Sequence, residues 1–521
     1  MTSGVRVATA AETADCERAT IERGTSSAEL MRRAGEGAAE IISKACSLDR
    51  SPGLAVFTGS GNNGGDGWVA AGKLAGAGYS VRVIELAAPR SAESRAAKLA
   101  ALESGATTAA QMEGDEPVVV DALLGTGASG EPRGEIALAI REIERRRGRG
   151  ARVFAIDLPS GLDATSGDHT ISVHADTSIS FGTMKRGHLA AREVCGEIVV
   201  LDIGLFESSA LGALPLLVDA AWVRERVPSI PASAHKGTRK RLAIVGGGQG
   251  MAGAAILAGE GALRSGIGLL RIVAAEENAL PVHASLPAAI FQPWPVTPDE
   301  VAQLVGAVDA VAIGPGLGVT VETRDMMERI LLAWGGAAVI DADGLNLFKG
   351  DAEALAALLR GRTAAVTPHP AEMARLLDRE TGDVVRDRFE IGGPLAQNLD
   401  AAVLLKGTPT VVFAPSGQRF VSATGTAALA TGGSGDVLTG MAGTLLAQMS
   451  AASSSEGERG TGLVAAEAAA CAAFVHGRAS ELCDYVRGTT LDDILRALAR
   501  AWNEPVPELP GGMLARLPAV A

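Results

Sequence analysis

The chain has 521 residues, of which 47% are hydrophobic, and its formal net charge is -13. This length predicts about two to four domains, and the acidic balance argues against nucleic acid or an anionic membrane surface as the main partner. The five cysteines form no C-x-x-C pair, so neither a zinc site nor a disulfide framework is indicated. No apolar segment typical of a secretory signal opens the chain, and we expect a cytoplasmic protein.

The N-terminal part begins with helical periodicity over residues 9–45, followed by a short apolar strand at 54–57. This strand runs into the glycine-rich segment 59–67, after which a helix is predicted. A glycine loop between a strand and a helix is the context in which proteins bind nucleotide phosphates. The segment is not a G-x-G-x-x-G dinucleotide fingerprint, because Asn62 and Asn63 lie at its centre. The alternative interpretation is an elaborate glycine turn.

Further strands of this part are predicted to begin near residues 81, 118 and 153. Asp121 and Asp157 fall at the carboxyl ends of two of them, where open α/β sheets bind ligands. Asn63, Asp121 and Ser160 offer only oxygen ligands, which suit a hard cation better than zinc. The alternative is that both aspartates cap the segments that follow them.

Prolines interrupt the pattern between about residues 205 and 231, and we place the domain boundary there, between 217 and 218. Strands and helices then alternate again, with short strands beginning near residues 242, 311, 338, 364 and 403. The two halves share this architecture without a sequence repeat. The serine-rich segment 451–460 is predicted to be a loop.

The most informative segment of the second half is Ala430–Leu438, in which glycines precede an apolar run typical of a helix. Backbone N–H groups at a helix start form a ready site for phosphate. Asp436 lies in this segment. A carboxylate at a phosphate site is predicted to accept the proton of a hydroxyl that attacks a phosphoryl group. The alternative is an N-cap. His369 and Lys406 follow other strands. As alternatives to a role in binding, the residues alone also allow His369 to be a structural histidine and Lys406 to be a solvated lysine.

These ordered motifs resemble a known family over nearly the whole chain, from about Val7 to Leu495. The first half resembles NAD(P)H-hydrate epimerases of the YjeF N-terminal type, and the second resembles ADP-dependent NAD(P)H-hydrate dehydratases. The resemblance implies an α/β fold, with a Rossmann-like parallel-sheet domain at 1–217 followed by a ribokinase-like α/β domain at 218–521. It also implies a bifunctional enzyme that epimerises the R and S hydrates at C6 and dehydrates the S form, with ADP converted to AMP and phosphate.

For the first half, the resemblance implies that Asp157 is the acid/base group at C6. Potassium would bind to Asn63, Asp121 and Ser160. The hydrated dinucleotide would be held by Asp157 and by residues of two loops, namely Asn62, Asn63, Gly64, Gly65, Asp66, Gly125, Thr126, Gly127, Ala128, Ser129, Gly130 and Glu131.

For the second half, the resemblance implies that Asp436 is the catalytic base, and that Ala254, Gly316 and His369 join it in contacting the hydrated substrate. Mg2+ would assist, and ADP would be held by Lys406, Gly407, Thr408, Pro409, Thr410 and Gly435. The implied partners are small molecules, NADHX or NADPHX and ADP, with no nucleic acid or membrane. We also expect a homo-oligomer.

The chain departs from the family pattern in several places. Gly425–Ala428 stands where Gly-Asn-Pro-Gly is usual, Ala371 replaces a glycine, Met251 replaces an aromatic residue, and Arg32 and Arg33 replace a common Glu-Asn pair. Two rival functions stay open: a ribokinase-like small-molecule kinase with an N-terminal nucleotide-binding module, and a non-catalytic nucleotide sensor. The strand-end aspartates and glycine loop of the first half would be superfluous in such a kinase.

Overall fold

The computed structural model describes residues 4–46, 53–109, 111–456 and 460–520. The chain forms two compact units, one of Met1–Leu216 with Glu508–Ala521 and one of Leu217–Pro507. Within the described ranges, every helix is too short or too polar to cross a lipid bilayer.

The first unit is a parallel α/β structure. Its elements in chain order are β1 (Val7–Ala8), α1 (Ala10–Glu22), α2 (Ser27–Cys46), β2 (Leu54–Thr58), α3 (Asn62–Gly76), β3 (Val81–Glu85), α4 (Ala92–Glu103), β4 (Thr107–Ala109), β5 (Val118–Ala122), α5 (Gly134–Arg147), β6 (Arg152–Ile156), β7 (Thr177–Phe181), β8 (Met184–Lys185), α6 (Arg186–Ala190), α7 (Arg192–Cys195), β9 (Glu197–Leu201) and α8 (Ser209–Ala213). Seven strands pair in parallel in the order β9-β7-β6-β5-β2-β3-β4. β1 and β8 form a separate parallel pair.

The central strands of this sheet are buried on both faces. Every residue of β2 and β5 is buried, as expected for parallel strands that helices cover on both sides. Trp68 of α3 and Phe154 of β6 are fully buried in the core on one face. This packing fixes the carboxyl ends of β2, β5 and β6, from which the first candidate site is built.

The second unit repeats the α/β alternation. It comprises β10 (Leu216–Leu217), which spans the division, α9 (Ala220–Arg226), β11 (Arg241–Val245), α10 (Ala252–Arg264), β12 (Leu269–Ala274), α11 (Ala279–Ser285), β13 (Ala289–Pro293), α12 (Pro298–Gly306), β14 (Ala310–Ile313), α13 (Val321–Ala333), β15 (Ala337–Ile340), α14 (Asp343–Asn346), α15 (Ala352–Leu359), β16 (Ala364–Val366), α16 (Pro370–Leu377), α17 (Thr381–Arg386), α18 (Gly392–Leu399), β17 (Ala402–Leu405), β18 (Thr410–Phe413), β19 (Arg419–Ser422), α19 (Ser434–Glu456), α20 (Thr461–Glu481) and α21 (Leu491–Asn503), with 3-10 turns at Glu276–Asn278 and Ala427–Leu429.

Its sheet runs in the order β19-β18-β17-β16-β15-β14-β11-β12-β13. All neighbours pair in parallel except β17-β18 and β18-β19, which form antiparallel hairpins. α10 and α19 pack closely, since a Cβ added to Gly440 would lie 1.8 Å from the carbonyl oxygen of Ala258. This contact fixes the start of α19, where Asp436 lies.

The α/β fold class predicted from the sequence is confirmed, with three local corrections. The helical stretch 9–45 is two helices, because the chain turns at Gly24, whose φ of 106° favours glycine. The predicted loop 451–460 is wrong up to Glu456, since α19 continues to that residue. The remainder of that segment, 457–459, lies outside the described residues.

The third correction concerns the end of the chain, which was assigned to the second domain as part of 218–521. Instead, strand β20 (Met513–Leu517) pairs antiparallel with β9 in the sheet of the first unit. The Arg516 guanidinium contacts the Glu197 carboxylate at 2.6 Å. Pairing of this kind depends on a free sheet edge more than three hundred positions earlier in the chain, which local periodicity does not reveal.

Candidate active sites

The first site lies at the carboxyl ends of β5 and β6. Asp157 follows β6 directly, and its φ of 69° is unusual for a residue other than glycine. Its Oδ2 accepts a hydrogen bond from the Thr126 backbone N–H at 3.0 Å. The loop after β5 and the turn after β6 therefore meet at the Asp157 carboxylate.

Lys185 of β8 forms an ion pair with Asp157, with 2.6 Å between Nζ and Oδ1. The lysine side chain is 1% exposed, and Nζ also donates to Ser180 Oγ and the Phe181 carbonyl. Burial alone would raise the pKa of Asp157, but the Lys185 ammonium holds it below the ordinary value. Asp157 is thus a carboxylate at neutral pH.

Other titratable groups surround this pair. Burial and the Lys185 charge lower the pKa of His188 to about 3, so this ring is neutral. Glu17 of α1 and Asp66 of α3 have raised pKa values, first because they are buried and then because they face the Asp157 charge. The Asp157 charge therefore opposes ionisation of two other carboxyl groups, whose pKa values are raised while that of Asp157 is lowered.

Asn63 lies beside the same loop. A Cβ added to Gly125 would lie 3.0 Å from both Asn63 Cβ and Asp157 Oδ2. Asn63 is 8% exposed, and neither its Oδ1 nor its Nδ2 has a hydrogen-bond partner among the described residues. A buried amide in this condition is unfavourable unless a ligand satisfies it.

Asp121 and Ser160 bond directly to each other. Asp121 Oδ1 accepts from Ser160 Oγ at 2.6 Å, and Oδ2 accepts from the Ser160 backbone N–H at 2.8 Å. Burial raises the pKa of Asp121 to about 6, a rise that the bonds from Ser160 limit. Ser160 Oγ also accepts from the Leu124 N–H at 2.9 Å, which ties both residues to the loop after β5.

The predicted dinucleotide contacts fall on two segments around this centre. Asn62 to Asp66 form the first turn of α3, which begins at Asn62. Gly125 to Glu131 form the loop between β5 and α5, and Glu131 Oε1 accepts from Thr170 Oγ1 at 3.1 Å. The middle of that loop, Gly127 to Gly130, is exposed apart from the half-buried Ala128. The structure brings Asn63, Gly125, Thr126 and Asp157 together, whereas Glu131 lies at the rim.

The second site lies at the start of α19 in the other unit. Asp436 occupies the first turn of this helix, as predicted. The N–H groups of such a turn have no partner within the helix and are oriented for an anion. Burial, followed by repulsion from Asp341, raises the pKa of Asp436 to about 7.

A half-buried lysine also lies at this site, but it is paired with another carboxylate. Lys406 Nζ is 2.8 Å from Asp341 Oδ1 and 3.7 Å from Glu372 Oε2. Thr439 of α19 donates its hydroxyl proton to Asp341 Oδ2. Gly435 is adjacent, since a Cβ added there would lie 3.3 Å from Lys406 Nζ. Lys406, Asp341 and the start of α19 therefore form one connected cluster.

The remaining predicted substrate contacts divide into two groups. Gly316 and Ala254 are neighbours, because a Cβ added to Gly316 would lie 2.9 Å from Ala254 Cβ. His369 is the N-cap of α16: its Nδ1 accepts from the N–H groups of Ala371 and Glu372. Its Nε2 lies 3.4 Å from Glu372 Oε1, and burial lowers its pKa.

The predicted ADP segment, Lys406 to Thr410, is the connection between β17 and β18. Gly407 and Thr408 are exposed, Pro409 is buried, and Thr410 Oγ1 donates to the Gly407 carbonyl at 3.0 Å. Lys406 reaches inward to Asp341 while the tip of the connection faces solvent. An exposed loop beside a half-buried lysine is compatible with a nucleotide site.

Sequence analysis missed three charged groups that shape these sites: Lys185, Asp341 and Glu372. Asp341 carries the same signal that singled out Asp121 and Asp157, since it directly follows strand β15. Glu372 is three residues after His369 and completes its capping box, a pattern readable from sequence. Lys185 gives no such signal, because its strand has only two residues.

Comparison with known proteins gives matches in both units. A family model described as NAD(P)H-hydrate dehydratase matches residues 242–500, and one described as YjeF-related protein N-terminus matches residues 27–187. The bifunctional NAD(P)H-hydrate repair enzyme Nnr of Moorella thermoacetica is 34% identical over 465 residues, 84% of this chain and 84% of the relative. That of Escherichia coli is 32% identical over 501 residues, 92% of this chain and 90% of the relative.

Among solved structures, the ADP/ATP-dependent NAD(P)H-hydrate dehydratase from Bacillus subtilis, co-crystallised with ATP and Mg2+, is similar to part of the chain. It is 28% identical and covers 54% of this chain and 95% of its own length, with a TM-score of 0.43.

Proposed function

The chain belongs to the family of bifunctional NAD(P)H-hydrate repair enzymes, and on this premise we propose how its two units divide the work. The first unit epimerises the R and S hydrates of NADH or NADPH at C6. The second unit dehydrates the S form and converts ADP to AMP and phosphate. The observation that carries this division is that each unit has its own strand-end site in which a lysine lies among carboxylates, Asp157 in one and Asp436 in the other.

In the second unit, the reaction must turn a poor leaving group into a good one. The β-phosphoryl group of ADP moves to the C6 hydroxyl oxygen, so that one P–O bond forms and the bond to AMP breaks. Asp436 accepts the hydroxyl proton, for which a pKa of about 7 is well matched. N–H groups at the start of α19 stabilise the transferring phosphoryl group. Loss of phosphate with a proton from the neighbouring ring carbon then restores the reduced nicotinamide.

In the first unit, Asp157 accepts the proton of the C6 hydroxyl as the C6–N1 bond breaks, so that the C6 oxygen becomes a carbonyl and the electron pair of the broken bond stays on N1. N1 then re-forms the bond on the other face of C6, and Asp157 returns the proton to the oxygen. Its pair with Lys185 keeps it ionised, which suits a base. The N–H of Thr126 fixes the orientation of the carboxylate. The segments Asn62 to Asp66 and Gly125 to Glu131 hold the dinucleotide around it.

The residues proposed for potassium fit a monovalent cation. The Asn63 side-chain oxygen has no partner among the described residues, and the Asp121 and Ser160 oxygens retain further lone pairs. Such hard oxygen donors suit potassium rather than zinc. Potassium would supply positive charge for the substrate phosphates at this position.

The second unit fits Mg2+ in a different way. No group of three or more His, Cys, Asp or Glu side chains is arranged as a metal site in the part of the chain that the structure describes. Mg2+ commonly needs only one or two protein carboxylates besides phosphate and water. Asp341, Asp343 and Glu372, whose charges face Asp436, offer such oxygens, and Mg2+ would neutralise charge on the ADP phosphates.

The test uses the full chain with R or S NADH hydrate, each with and without ADP, Mg2+ and potassium. We expect the S hydrate to yield reduced nicotinamide and one phosphate per ADP consumed, and the R hydrate to do so after conversion to S. Phosphate release from ADP that does not depend on hydrate would contradict the proposal. Accumulation of a stable phosphorylated alcohol would instead favour a small-molecule kinase.

The partners are proposed to be these small molecules alone, with the enzyme acting in the cytoplasm as a homo-oligomer. The net charge of -13 supports the exclusion of nucleic acid and anionic membranes. Light scattering with size-exclusion chromatography tests the oligomer, and cell fractionation tests the location.

A further inference from the structure

A buried arginine lies beneath the proposed ADP segment. Arg388, in the turn between α17 and α18, is only 8% exposed. Its Nη1 donates to two main-chain carbonyls of the β17-β18 connection, that of Lys406 at 3.2 Å and that of Pro409 at 3.0 Å. One guanidinium nitrogen thus holds both ends of this short connection.

The charge of Arg388 is not balanced by a carboxylate. Among the described residues, no acidic side chain forms an ion pair with Arg388, and burial lowers the pKa of its guanidinium without an opposing charge. The neighbouring Lys406, by contrast, is neutralised by Asp341 and Glu372. Arg388 is therefore the uncompensated positive charge next to the connection, and burying such a charge is costly unless something uses it.

Gly407 shows how closely the connection follows the guanidinium. A Cβ added to Gly407 would lie 2.4 Å from Arg388 Nη1 and 2.9 Å from Cζ. The φ of Gly407 is 140°, which other residues rarely adopt. The backbone of the connection therefore packs directly on the Arg388 guanidinium, and only glycine at position 407 allows the two to come this close.

We propose that Arg388 is a positioning residue for nucleotide binding, which holds the Lys406–Pro409 backbone in the shape that receives the ADP diphosphate and places positive charge beneath it. This inference rests on the proposed function, in which the same connection binds ADP. Arg388 acts through the main chain. Its Nη1 belongs to a rigid, planar guanidinium, whereas a lysine ammonium on its flexible stem would not be fixed against the two carbonyls.

The experiment measures ADP binding to the full chain by calorimetry for the unsubstituted protein, Arg388→Gln and Arg388→Lys. For Arg388→Gln we expect the Kd for ADP to rise about tenfold, because the two hydrogen bonds that hold the connection are lost. The KM for ADP should rise in parallel, while kcat and the KM for the hydrate stay within about threefold. Arg388→Lys should recover less than half of the lost affinity, because it restores the charge without the rigid guanidinium.

Two glycine variants separate the contact from backbone strain. Gly407→Ala should weaken ADP binding by a similar factor, and its effect should not add to that of Arg388→Gln, since both break the same contact. Gly417→Ala, at the β18-β19 turn, is the matched control: its φ is 92°, yet a Cβ there meets nothing within 4 Å. It should bind ADP like the unsubstituted protein.

The outcomes distinguish the two proposals. If the unsubstituted chain binds no ADP, the proposed function fails and the role of Arg388 falls with it. If the unsubstituted chain binds ADP and Arg388→Gln binds it equally well, only the role of Arg388 is overturned. A uniform fall in kcat, ADP affinity and melting temperature in Arg388→Gln, fully reversed in Arg388→Lys, would assign Arg388 to the core and also overturn it.

Discussion

The two candidate sites are built from the same parts but pair their lysines differently. In the first unit, Lys185 contacts the proposed catalytic carboxylate itself, at 2.6 Å from Asp157. In the second unit, Lys406 is paired with Asp341 at 2.8 Å, and the proposed base Asp436 is left without the direct ion pair that Asp157 has. Accordingly, the pKa of Asp157 lies below its ordinary value, whereas that of Asp436 is raised to about 7.

This difference shows that the partner of the lysine, rather than its presence, decides the protonation of the carboxylate. An ion pair stabilises the ionised form, while burial and a like charge stabilise the protonated form. The first site therefore keeps a permanent carboxylate. The second holds a group that exchanges a proton near neutral pH, the range in which proton transfer is most efficient.

The largest expected effect is the loss of dehydration at the second site alone. Asp436→Asn should lower the rate of dehydration by about 10²- to 10⁴-fold, since an amide does not accept the hydroxyl proton, and should leave epimerisation unchanged. The measurement is ADP-dependent formation of reduced nicotinamide from the S hydrate. Asp492→Asn is the control, because Asp492 also lies in the first turn of a helix but is exposed and outside the site. Dehydration within a few-fold of the unsubstituted protein would remove Asp436 from the mechanism.

The same substitution also tests the raised pKa of Asp436. A carboxyl group whose folded pKa exceeds its unfolded pKa favours folding at low pH, and this stability is lost as pH rises through about 7. Asp436→Asn should thus gain stability relative to the unsubstituted protein as pH rises from 4, near the ordinary carboxyl pKa of 3.8, to 8. Melting curves at both values check this sign.

The reciprocal prediction breaks the first site. Asp157→Asn should slow epimerisation by about 10²- to 10⁴-fold while the S hydrate is still dehydrated. Asparagine is chosen because it tolerates the φ of 69° at this position better than alanine does. Chromatographic separation of the R and S hydrates over time gives the rate, and Asp168→Asn, an exposed carboxylate in the following loop, serves as control. Undiminished interconversion would refute the role of Asp157.

A third prediction removes the lysine that distinguishes the first site. Lys185→Met should raise the pKa of Asp157, so that the acid limb of the epimerisation pH profile moves upward by about 1–3 units. Because a buried pair is broken, the first unit should also lose about 3–5 kcal/mol of stability. Lys98→Met, which removes the pair with Glu85 elsewhere in this unit, is the control. An unshifted pH profile in a folded Lys185→Met protein would contradict the comparison between the sites.

The smallest expected effect is a change in the pKa of Asp436 in the second site. Asp341→Asn removes the charge that repels Asp436 and releases Lys406, so the pKa of Asp436 should fall by about one unit. The rate of dehydration should then reach its plateau at a lower pH. Asp309→Asn, which alters a pair with Arg241 at the other end of the sheet, should leave the profile in place. A shift toward higher pH would show that Asp341 acts on Asp436 in some other way.

Local sequence patterns predicted much of the fold because the strands are short, apolar and followed by glycine or polar residues. The strands beginning at Leu54, Val118 and Arg241 are located within one residue of their predicted starts. Parallel strands that are buried on both faces are continuous apolar runs, so these runs are enough to predict where the strands lie. The turn at Gly24 and the extension of α19 to Glu456 were missed, because an isolated glycine in a helical pattern and a serine-rich run do not by themselves determine where a helix ends.

The candidate sites were predictable in so far as they consist of strand ends and helix starts. Asp121, Asp157 and Asp436 were identified by position alone, and the structure places each in a site cluster. Whether the proposed contacts bind substrate stays a prediction. Lys185 and Arg388 could not be found in this way, because neither ends a long strand nor belongs to a glycine loop.

The sequence by itself therefore determined the α/β class, the two-part organisation and the positions of the loops that form the candidate sites. Only the tertiary structure decided which lysine pairs with which carboxylate, that Arg388 supports the Lys406–Pro409 connection, and that Met513–Leu517 returns to the sheet of the first unit. The physical reason is that periodicity and turn chemistry act over a few residues. Ion pairs and strand pairings join residues that lie close in space but far apart in the chain, and these contacts set the pKa values on which catalysis depends.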